Sequence, residues 1–272
     1  MVNFEKWHGN GNDFVIINSI DKKIRITKTF IKKTANRNKG IGFDQLIFVT
    51  LPTKESHDFF IRFFNSDGSE AGMCLNGIRC AARYIWNNSF APLNNICIKT
   101  KTKVLTCSPV GKSSVNVEII VPEKINHPNL ERKISKKISK NFFLLNTGNN
   151  HLFIKFNSIE KIDLNGIYSE LSNDIQKHEM NLSIFKKTKN IIDLRTYENG
   201  VGETLSCGSA SLCVASNFLS KKNDLITVKT FGGEIIFKKH NCFLENEKTL
   251  IAFEESFKDE LKTDAFLSQV PK

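Results

Sequence analysis

Two copies of one sequence pattern occur in this chain, and this internal repeat limits the possible folds more than any other feature. In each copy, a loop that contains glycine and glutamate precedes a cysteine, and a second cysteine follows six residues later: Cys74 and Cys80, then Cys207 and Cys213. Two other pairs of segments match in the same order at nearly the same separation, residues 11–16 with 148–154 and 98–100 with 228–230. Ordered matches of this kind predict two similarly folded halves.

Strand signals dominate both halves. Short β-branched or aromatic runs, bounded by turn-forming or polar residues, predict strands over residues 4–7, 13–18, 45–50, 59–65, 96–100, 104–107, 115–121, 142–146, 152–156, 191–197, 226–230, 234–237 and 250–253. Helical spacing of apolar residues predicts helices over 29–36, 74–86 and 207–219. Strands in series with a few separate helices favour the α+β class. The polar stretch 108–114 predicts the boundary, so we expect domains over 1–114 and 115–254, with a tail over 255–272 that packs back on the N-terminal half.

The composition argues against several classes of protein. The formal charge is +11, from 39 Lys and Arg against 28 Asp and Glu. The excess is mostly lysine without an arginine-rich stripe, and the densest basic run, residues 131–140, is typical of a solvated face or loop; no nucleic-acid partner is therefore expected. No apolar run approaches the roughly 18 residues of a membrane span, and the first residues lack a signal-peptide stretch, so we expect a cytoplasmic protein without a membrane partner.

The cysteines predict chemistry at only two positions. Seven cysteines without a CxxC pair indicate neither a disulfide framework nor a structural zinc site. Five of them are interpreted as core or incidental residues: Cys80, Cys97, Cys107, Cys213 and Cys242. Cys74 and Cys207 differ because they occupy equivalent positions in the repeat, each at the start of a predicted helix after a polar loop. A helix N-terminus is expected to lower the pKa of a thiol and to bind a carboxylate through its free amides.

A repeat with one such thiol in each half suggests a reaction. If the halves are related by a pseudo-twofold axis and meet face to face, Cys74 faces Cys207. One thiolate could then remove a proton from a carbon while the other thiol delivers one to the opposite face, which racemises or epimerises that carbon. The scheme requires no cofactor and no metal, and the sequence contains neither a P-loop nor a dinucleotide-binding glycine pattern.

The same segments resemble the motifs of the diaminopimelate epimerase family. The resemblance runs in order from about residue 3 to residue 240 through HGNGNDF (8–14), GIGFDQ (40–45), NSDGSE with CLNGIR (65–70 and 74–79), GNNH (148–151), YENGVGET with CGSAS (197–204 and 207–211) and FGG (231–233). It implies two pseudo-symmetric α/β-barrel-like domains, each a curved mixed sheet around a central helix. It also implies a cofactor-independent homodimer that converts LL-2,6-diaminopimelate to meso-diaminopimelate in lysine and peptidoglycan-precursor biosynthesis.

The resemblance assigns roles to individual residues. It matches Cys74 and Cys207 to the two acid/base cysteines, and His151 and Glu198 to the polar pair that supports them. The carboxylate at the reacting carbon would be held by the amides of Leu75, Asn76, Gly208 and Ser209. The distal end of the substrate would be bound by Asn12, Gln45, Asn65, Asn149 and Asn181, with Glu198 and Asn199 also in the substrate-binding set.

The chain departs from the family pattern at several positions. Leu75 replaces a glycine after the first catalytic cysteine, and Asn199 replaces an arginine that in the family pairs with the distal carboxylate. Ala210-Ser211 replaces Gly-Ala, and residues 250–254 replace a C-terminal motif. We expect the loss of the arginine to raise KM for diaminopimelate unless a lysine compensates.

Three alternatives remain open. One is another two-cysteine racemase of the same fold, such as a proline racemase-like enzyme. The second is a catalytically weakened relative of diaminopimelate epimerase, and the third is a silent basic binding protein.

Overall fold

The backbone divides into two compact units that repeat one topology. The computed structural model describes residues 2–22, 24–52, 55–138, 141–220, 224–243, 249–256 and 263–267, with side chains described up to residue 239. Unit 1 comprises Met1–Glu118 with Glu254–Lys272, and unit 2 comprises Ile119–Phe253.

The elements follow in chain order. The strands are β1 (Val2–Gly9), β2 (Asn12–Asn18), β3 (Gln45–Thr50), β4 (Phe59–Asn65), β5 (Glu70–Ala71), β6 (Ile96–Lys99), β7 (Val104–Val110), β8 (Ser114–Ile120), β9 (Glu123–Lys124), β10 (Phe142–Asn146), β11 (Asn150–Lys155), β12 (Met180–Thr188), β13 (Ile191–Glu198), β14 (Gly202–Thr204), β15 (Leu225–Thr230), β16 (Gly233–Phe243), β17 (Thr249–Ser256) and β18 (Thr263–Leu267). The α-helices are α1 (Lys28–Ala35), α2 (Leu75–Asn87), α3 (Pro128–Lys137), α4 (Leu164–Ile175) and α5 (Gly208–Phe218), and a 3₁₀ turn spans Gln176–His178.

Unit 1 is a mixed sheet around α2. β1 and β2 are antiparallel, and β2 pairs in parallel with β3 after the crossover through α1. β3 and β4 are antiparallel, and β4 pairs in parallel with β6 after the crossover through α2. β6, β7 and β8 complete an antiparallel meander, and β18 pairs with β1. α2 contacts β1, β2, β3 and β7, so the sheet curves around it.

Unit 2 repeats these pairings in the same order. β10 and β11 are antiparallel, β11 and β12 are parallel across α4, and β12 and β13 are antiparallel. β13 and β15 are parallel across α5, and β15 and β16 are antiparallel. α5 contacts β11, β13, β15 and β16. The expected duplication and the expected α+β class, with a curved mixed sheet around a central helix in each half, are both confirmed.

Burial explains why α2 and α5 are central. Every residue of α2 from Leu75 to Trp86 is buried, and α5 is buried from Ala210 to Ala215. A helix that is buried on nearly all sides requires cover on all sides, which a curved sheet provides.

The predictions made from local patterns fail mainly in unit 2. The run 131–140 was expected to be a solvated face or loop, and its basic residues up to Lys137 are exposed, as a solvated face requires. The helix that carries them, α3, was not predicted; Leu130 and Ile134 lie one helical turn apart and pack into the core of unit 2. Residues 139 and 140 lie outside the described part. α4 and β12 were also not predicted. The stretch 108–114 comprises the last residues of β7, the turn of the β7–β8 hairpin and the first residue of β8. Within the tail, residues 257–262 and 268–272 lie outside the described part.

Candidate active site

Cys74 lies where β5 gives way to α2, as the N-cap residue of that helix. Its backbone is extended, with φ −136° and ψ 118°, and its Sγ accepts a hydrogen bond from the Gly77 amide at 3.4 Å. The expected position at a helix start is therefore confirmed. The side chain is half-buried. An N-cap thiol of this kind is aligned with the positive end of the helix.

Gly77 allows this end of α2 to approach the sheet closely. A Cβ at this position would lie 2.6 Å from Cε1 of Phe63, 3.2 Å from Cδ1 of Ile47 and 3.3 Å from Cε1 of Phe14. Only glycine fits against these three buried side chains without displacing one of them. The glycine thereby sets the height of Cys74 above the sheet.

Asn12 links Cys74 to a charged network. Its Oδ1 lies 3.6 Å from Cys74 Sγ as hydrogen-bond acceptor, and its Nδ2 donates to Asp44 Oδ2 at 2.8 Å. Arg37 bridges Asp44 and Asp13, and Lys6 contacts Asp13 at 2.5 Å. Burial alone would raise the pKa of Asp13, but hydrogen bonds from Arg37 and Lys6 lower it to about 2.

Gln45 and Asn65 face each other across β3 and β4. Gln45 Nε2 donates to Asn65 Oδ1 at 2.8 Å, and Asn65 Nδ2 donates to Ser69 Oγ at 3.0 Å. Gln45 Oε1 is buried without a hydrogen-bond partner among the described residues. An acceptor in that state is suited to a donor from a bound molecule.

Leu75 and Asn76 form the first turn of α2. Both are buried, and the Asn76 side chain accepts a hydrogen bond from Arg79 at 2.8 Å. Their backbone N–H groups belong to the first turn, where an α-helix provides no internal acceptor.

Cys207 is the N-cap of α5, at the position equivalent to Cys74, but its surroundings differ. It is only 5% exposed, its Sγ lies 3.3 Å from Ser209 Oγ, and the Glu198 carboxylate is beside it. Burial and the charge of Glu198 raise the pKa of Cys207 well above its usual range, although the Ser209 hydroxyl and the Ala210 amide oppose the rise. For Cys207, the expectation of a lowered thiol pKa is wrong, because desolvation outweighs the helix terminus.

His151 lies on β11 and is fully buried. Burial lowers its pKa to about 3, so the ring is neutral near pH 7. Neither ring nitrogen has a hydrogen-bond partner in the described part of the chain, and the ring stacks on Phe153 with centroids 5.8 Å apart. The equivalent residue in unit 1 is Phe14. Phe14 pairs with Gln45 between β2 and β3, and His151 pairs with Asn181 between the corresponding strands β11 and β12.

The remaining predicted residues of unit 2 form two short chains of contacts. Asn149 Nδ2 donates to Ser209 Oγ at 3.3 Å, which connects it to Cys207. Asn181 Oδ1 accepts the Asn199 amide at 2.9 Å. Gly208 is the first residue of α5 and is buried.

Three contributors were not predicted. Asp44 lies within the quoted GIGFDQ segment but was not assigned a role. Thr204 donates to Glu198 Oε1 at 2.7 Å, and Tyr168 donates to Asn199 Oδ1 at 2.7 Å. The sequence gives no signal for Tyr168, because it lies on α4, which was not predicted.

The other cysteines mostly match the core interpretation. Cys80, Cys107 and Cys213 are fully buried. Cys97 is only half-buried, because it occupies an outward position of β6, so it fits the incidental and not the core interpretation. The side chain of Cys242 lies outside the described part.

Residues 4–124 match the family model of diaminopimelate epimerase. Over 248 residues the chain is 35% identical to the diaminopimelate epimerase of Buchnera aphidicola subsp. Acyrthosiphon pisum (strain 5A), which covers 86% of this chain and 87% of that protein. The chain belongs to the diaminopimelate epimerase family.

Further comparisons agree with this membership. The diaminopimelate epimerase of Legionella pneumophila (strain Lens) is 31% identical over 86% of this chain and 90% of its own length. The crystal structure of a PhzF-family phenazine biosynthesis protein from Bacillus anthracis superposes with a TM-score of 0.69 at 14% identity, covering 97% of this chain and 99% of that one, and this likeness concerns the fold alone. As a member of the diaminopimelate epimerase family, the chain is an isomerase.

Two further properties of the described residues bear on the site. None of their helices is long and apolar enough to cross a membrane. No group of three or more His, Cys, Asp or Glu side chains that could hold a metal ion occurs among them.

Proposed function

We propose that this chain epimerises LL-2,6-diaminopimelate to meso-diaminopimelate without a cofactor, in lysine and peptidoglycan-precursor biosynthesis. One observation carries the proposal: two equivalent cysteines, each the N-cap of a buried helix, occur in a chain of the diaminopimelate epimerase family. A one-base enzyme would need only one of them.

The proposed chemistry moves one proton at each thiol. The thiolate of one cysteine takes the α-proton of the substrate, and the S–H of the other gives a proton to the opposite face of the same carbon. The configuration inverts and the carbanion charge is transient. The backbone amides of Leu75, Asn76, Gly208 and Ser209, in the first turns of α2 and α5, would hold the adjacent carboxylate and stabilise the charge that develops there.

The resting proton positions follow from the surroundings of Cys207. Its raised pKa means that it starts as a thiol, and therefore as the proton donor of the first turnover. Glu198, which accepts a hydrogen bond from Thr204, would then destabilise the Cys207 thiolate that forms after proton donation, since two neighbouring negative charges repel each other. We propose that His151 supports this end of the site as a neutral ring.

The distal end of the substrate would meet the amide side chains. Gln45 Oε1, a buried acceptor without a partner among the described residues, is suited to the distal ammonium group. Asn199 stands where the family has an arginine, so the distal carboxylate would lose a charged hydrogen bond worth about 1.5–3 kcal/mol. The proposal therefore includes a raised KM.

Exchange of the α-proton tests the function. Incubation with LL-diaminopimelate in D₂O should yield meso product that carries deuterium at the inverted carbon. Folded, reduced protein that exchanges no proton would contradict the proposal. L-proline and trans-4-hydroxy-L-proline serve as control substrates, and exchange with either of them alone would favour the proline racemase-like alternative.

We further propose that the protein acts as a cytoplasmic homodimer. Light scattering coupled to size-exclusion chromatography should give twice the 30.9 kDa chain mass, and a monomer mass at micromolar concentration would contradict the dimer.

A further inference from the structure

The orientation of the Asn12 amide is set by its chemistry. Asp44 Oδ2 lies 2.8 Å from one end of this amide, and Cys74 Sγ lies 3.6 Å from the other. A carboxylate accepts hydrogen bonds and donates none, so the NH₂ group must face Asp44. The carbonyl Oδ1 of Asn12 is thereby directed at Cys74, where it can accept the S–H proton and cannot donate to a thiolate.

Asp44 is itself held firmly. Its Oδ2 also accepts the Asp13 amide at 3.0 Å, and its Oδ1 accepts from Arg37 Nη2 at 2.7 Å. In return, the Asp44 amide donates to Asp13 Oδ1 at 2.9 Å. The reciprocal backbone hydrogen bonds with Asp13 and the Arg37 guanidinium on Oδ1 fix the Asp44 carboxylate. Its Oδ2 therefore faces Asn12.

Unit 2 has the same backbone without this carboxylate. Strand register aligns Phe14–Gln45 with His151–Asn181, so the residue equivalent to Asp44 is Met180 and the residue equivalent to Asn12 is Asn149. There the asparagine directs its Nδ2 to Ser209, whose hydroxyl contacts Cys207. Unit 2 therefore forms the same parallel strand pairing without an acid at this position.

We propose that Asp44 is a positioning residue for Cys74, acting through Asn12. By fixing the carbonyl of Asn12 toward the sulfur, it stabilises the S–H form of Cys74 relative to the thiolate and opposes the Gly77 amide, which favours the thiolate that takes the α-proton. Its relevance to turnover rests on the proposed epimerase function, but the effect on the sulfur does not.

The test measures the pH profile of Cys74 alkylation. The full-length protein is treated with iodoacetamide from pH 5 to pH 10, and modification of Cys74 is followed by peptide mass mapping. In Asp44→Ala the Asn12 amide can turn its NH₂ group to the sulfur, so the profile should move to lower pH, with alkylation at pH 7 at least three-fold faster. Asp21→Ala, an exposed acid of the same unit, should leave the profile unchanged.

A double variant distinguishes an effect of Asp44 that acts through Asn12 from a direct electrostatic effect of the Asp44 charge on Cys74. If Asp44 acts through Asn12, then Asp44→Ala should cause no further shift in an Asn12→Ala background. An equal shift in both backgrounds would overturn the proposal, as would an unshifted profile in folded Asp44→Ala. Should Asp44→Ala fail to fold, Asp44→Asn retains the shape and should move the profile in the same direction by a smaller amount; no shift there would also overturn it. Alkylation needs no diaminopimelate, so a failure of the proposed function would appear separately, in the exchange assay.

Discussion

The hydroxyl of Tyr168 donates a 2.7 Å hydrogen bond to Oδ1 of Asn199, at the position where the family has an arginine. The Tyr168 ring stacks on Tyr197 with centroids 3.8 Å apart and nearly parallel planes. The backbone N–H of Asn199 donates a second hydrogen bond, to Asn181 Oδ1 at 2.9 Å. This asparagine is therefore an ordered residue, and its Nδ2 is the group left to donate to a substrate.

Restoring the arginine should improve substrate binding. Asn199→Arg would return a charged hydrogen bond to the distal carboxylate, so we expect KM for LL-diaminopimelate to fall by about 10-fold or more, with kcat changed less than two-fold. Steady-state kinetics measure both constants. Tyr168→Phe is the matched control, since it releases the side chain of Asn199 but retains the stacked ring; it should not lower KM. An unchanged KM in Asn199→Arg would contradict the placement of the distal carboxylate here.

The two cysteines should be separable from the others by mutation. Cys74→Ser or Cys207→Ser removes a thiol that takes or gives the α-proton, and a serine hydroxyl is a far weaker acid and base. Epimerisation should fall at least 1,000-fold in each variant, since general acid–base catalysis typically contributes about 10²–10⁴-fold. Cys97→Ser, at a half-buried position of β6, should retain activity within two-fold. Comparable activity in all three variants would sink the two-thiol mechanism.

Repetition made the positions of both thiols predictable, whereas their surroundings depend on distant residues. Both cysteines were expected at helix starts because the repeat compares the chain with itself. The raised pKa of Cys207 was missed, because it depends on how deeply α5 is buried and on Glu198, which reaches the sulfur only in the folded chain. The orientation of Asn12 likewise requires Asp44, which is 32 residues away.

The errors in the fold have a similar cause. β3 and β4 were predicted with their observed bounds, since each is a short apolar run between polar flanks. α3 has few apolar residues, and α3 and α4 pack against each other in unit 2. Helices that owe their stability to such tertiary contacts leave a weak local signal.

Burial of a neutral histidine should make stability depend on pH. The folded pKa of His151, about 3, lies below the unfolded value of about 6.5, so the unfolded chain binds more protons between these limits. The contribution of neutral His151 to the free energy of unfolding is therefore fully present above pH 6.5. It is lost as pH falls toward 3, by up to about 1.4 kcal/mol per pH unit. His151→Phe, which introduces the residue found at the equivalent position 14, should be more stable relative to wild type at pH 5 than at pH 7.5. Urea unfolding at both pH values measures the difference, and equal differences would contradict a buried neutral ring.

Close packing under α2 should distinguish Gly77 from its counterpart in unit 2. Gly77→Ala places a Cβ 2.6 Å from the Phe63 ring, which is buried and cannot withdraw, so we expect a loss of about 1–3 kcal/mol in the free energy of unfolding.

Ala210 occupies the equivalent position of α5, where smaller polar side chains replace two of the three side chains that lie beneath Gly77. By strand register, Ser183 and Thr196 stand where unit 1 has Ile47 and Phe63, and their hydroxyls bond each other at 2.9 Å. Ala210→Gly should cost about 1 kcal/mol at most, from helix propensity alone. The decisive measurement is Gly77→Ala in a Phe63→Ala background. There the added methyl group has room, so the loss in the free energy of unfolding that it causes should shrink by at least half. A penalty that persists there would show that the Phe63 ring is not what requires the glycine, and would contradict the prediction.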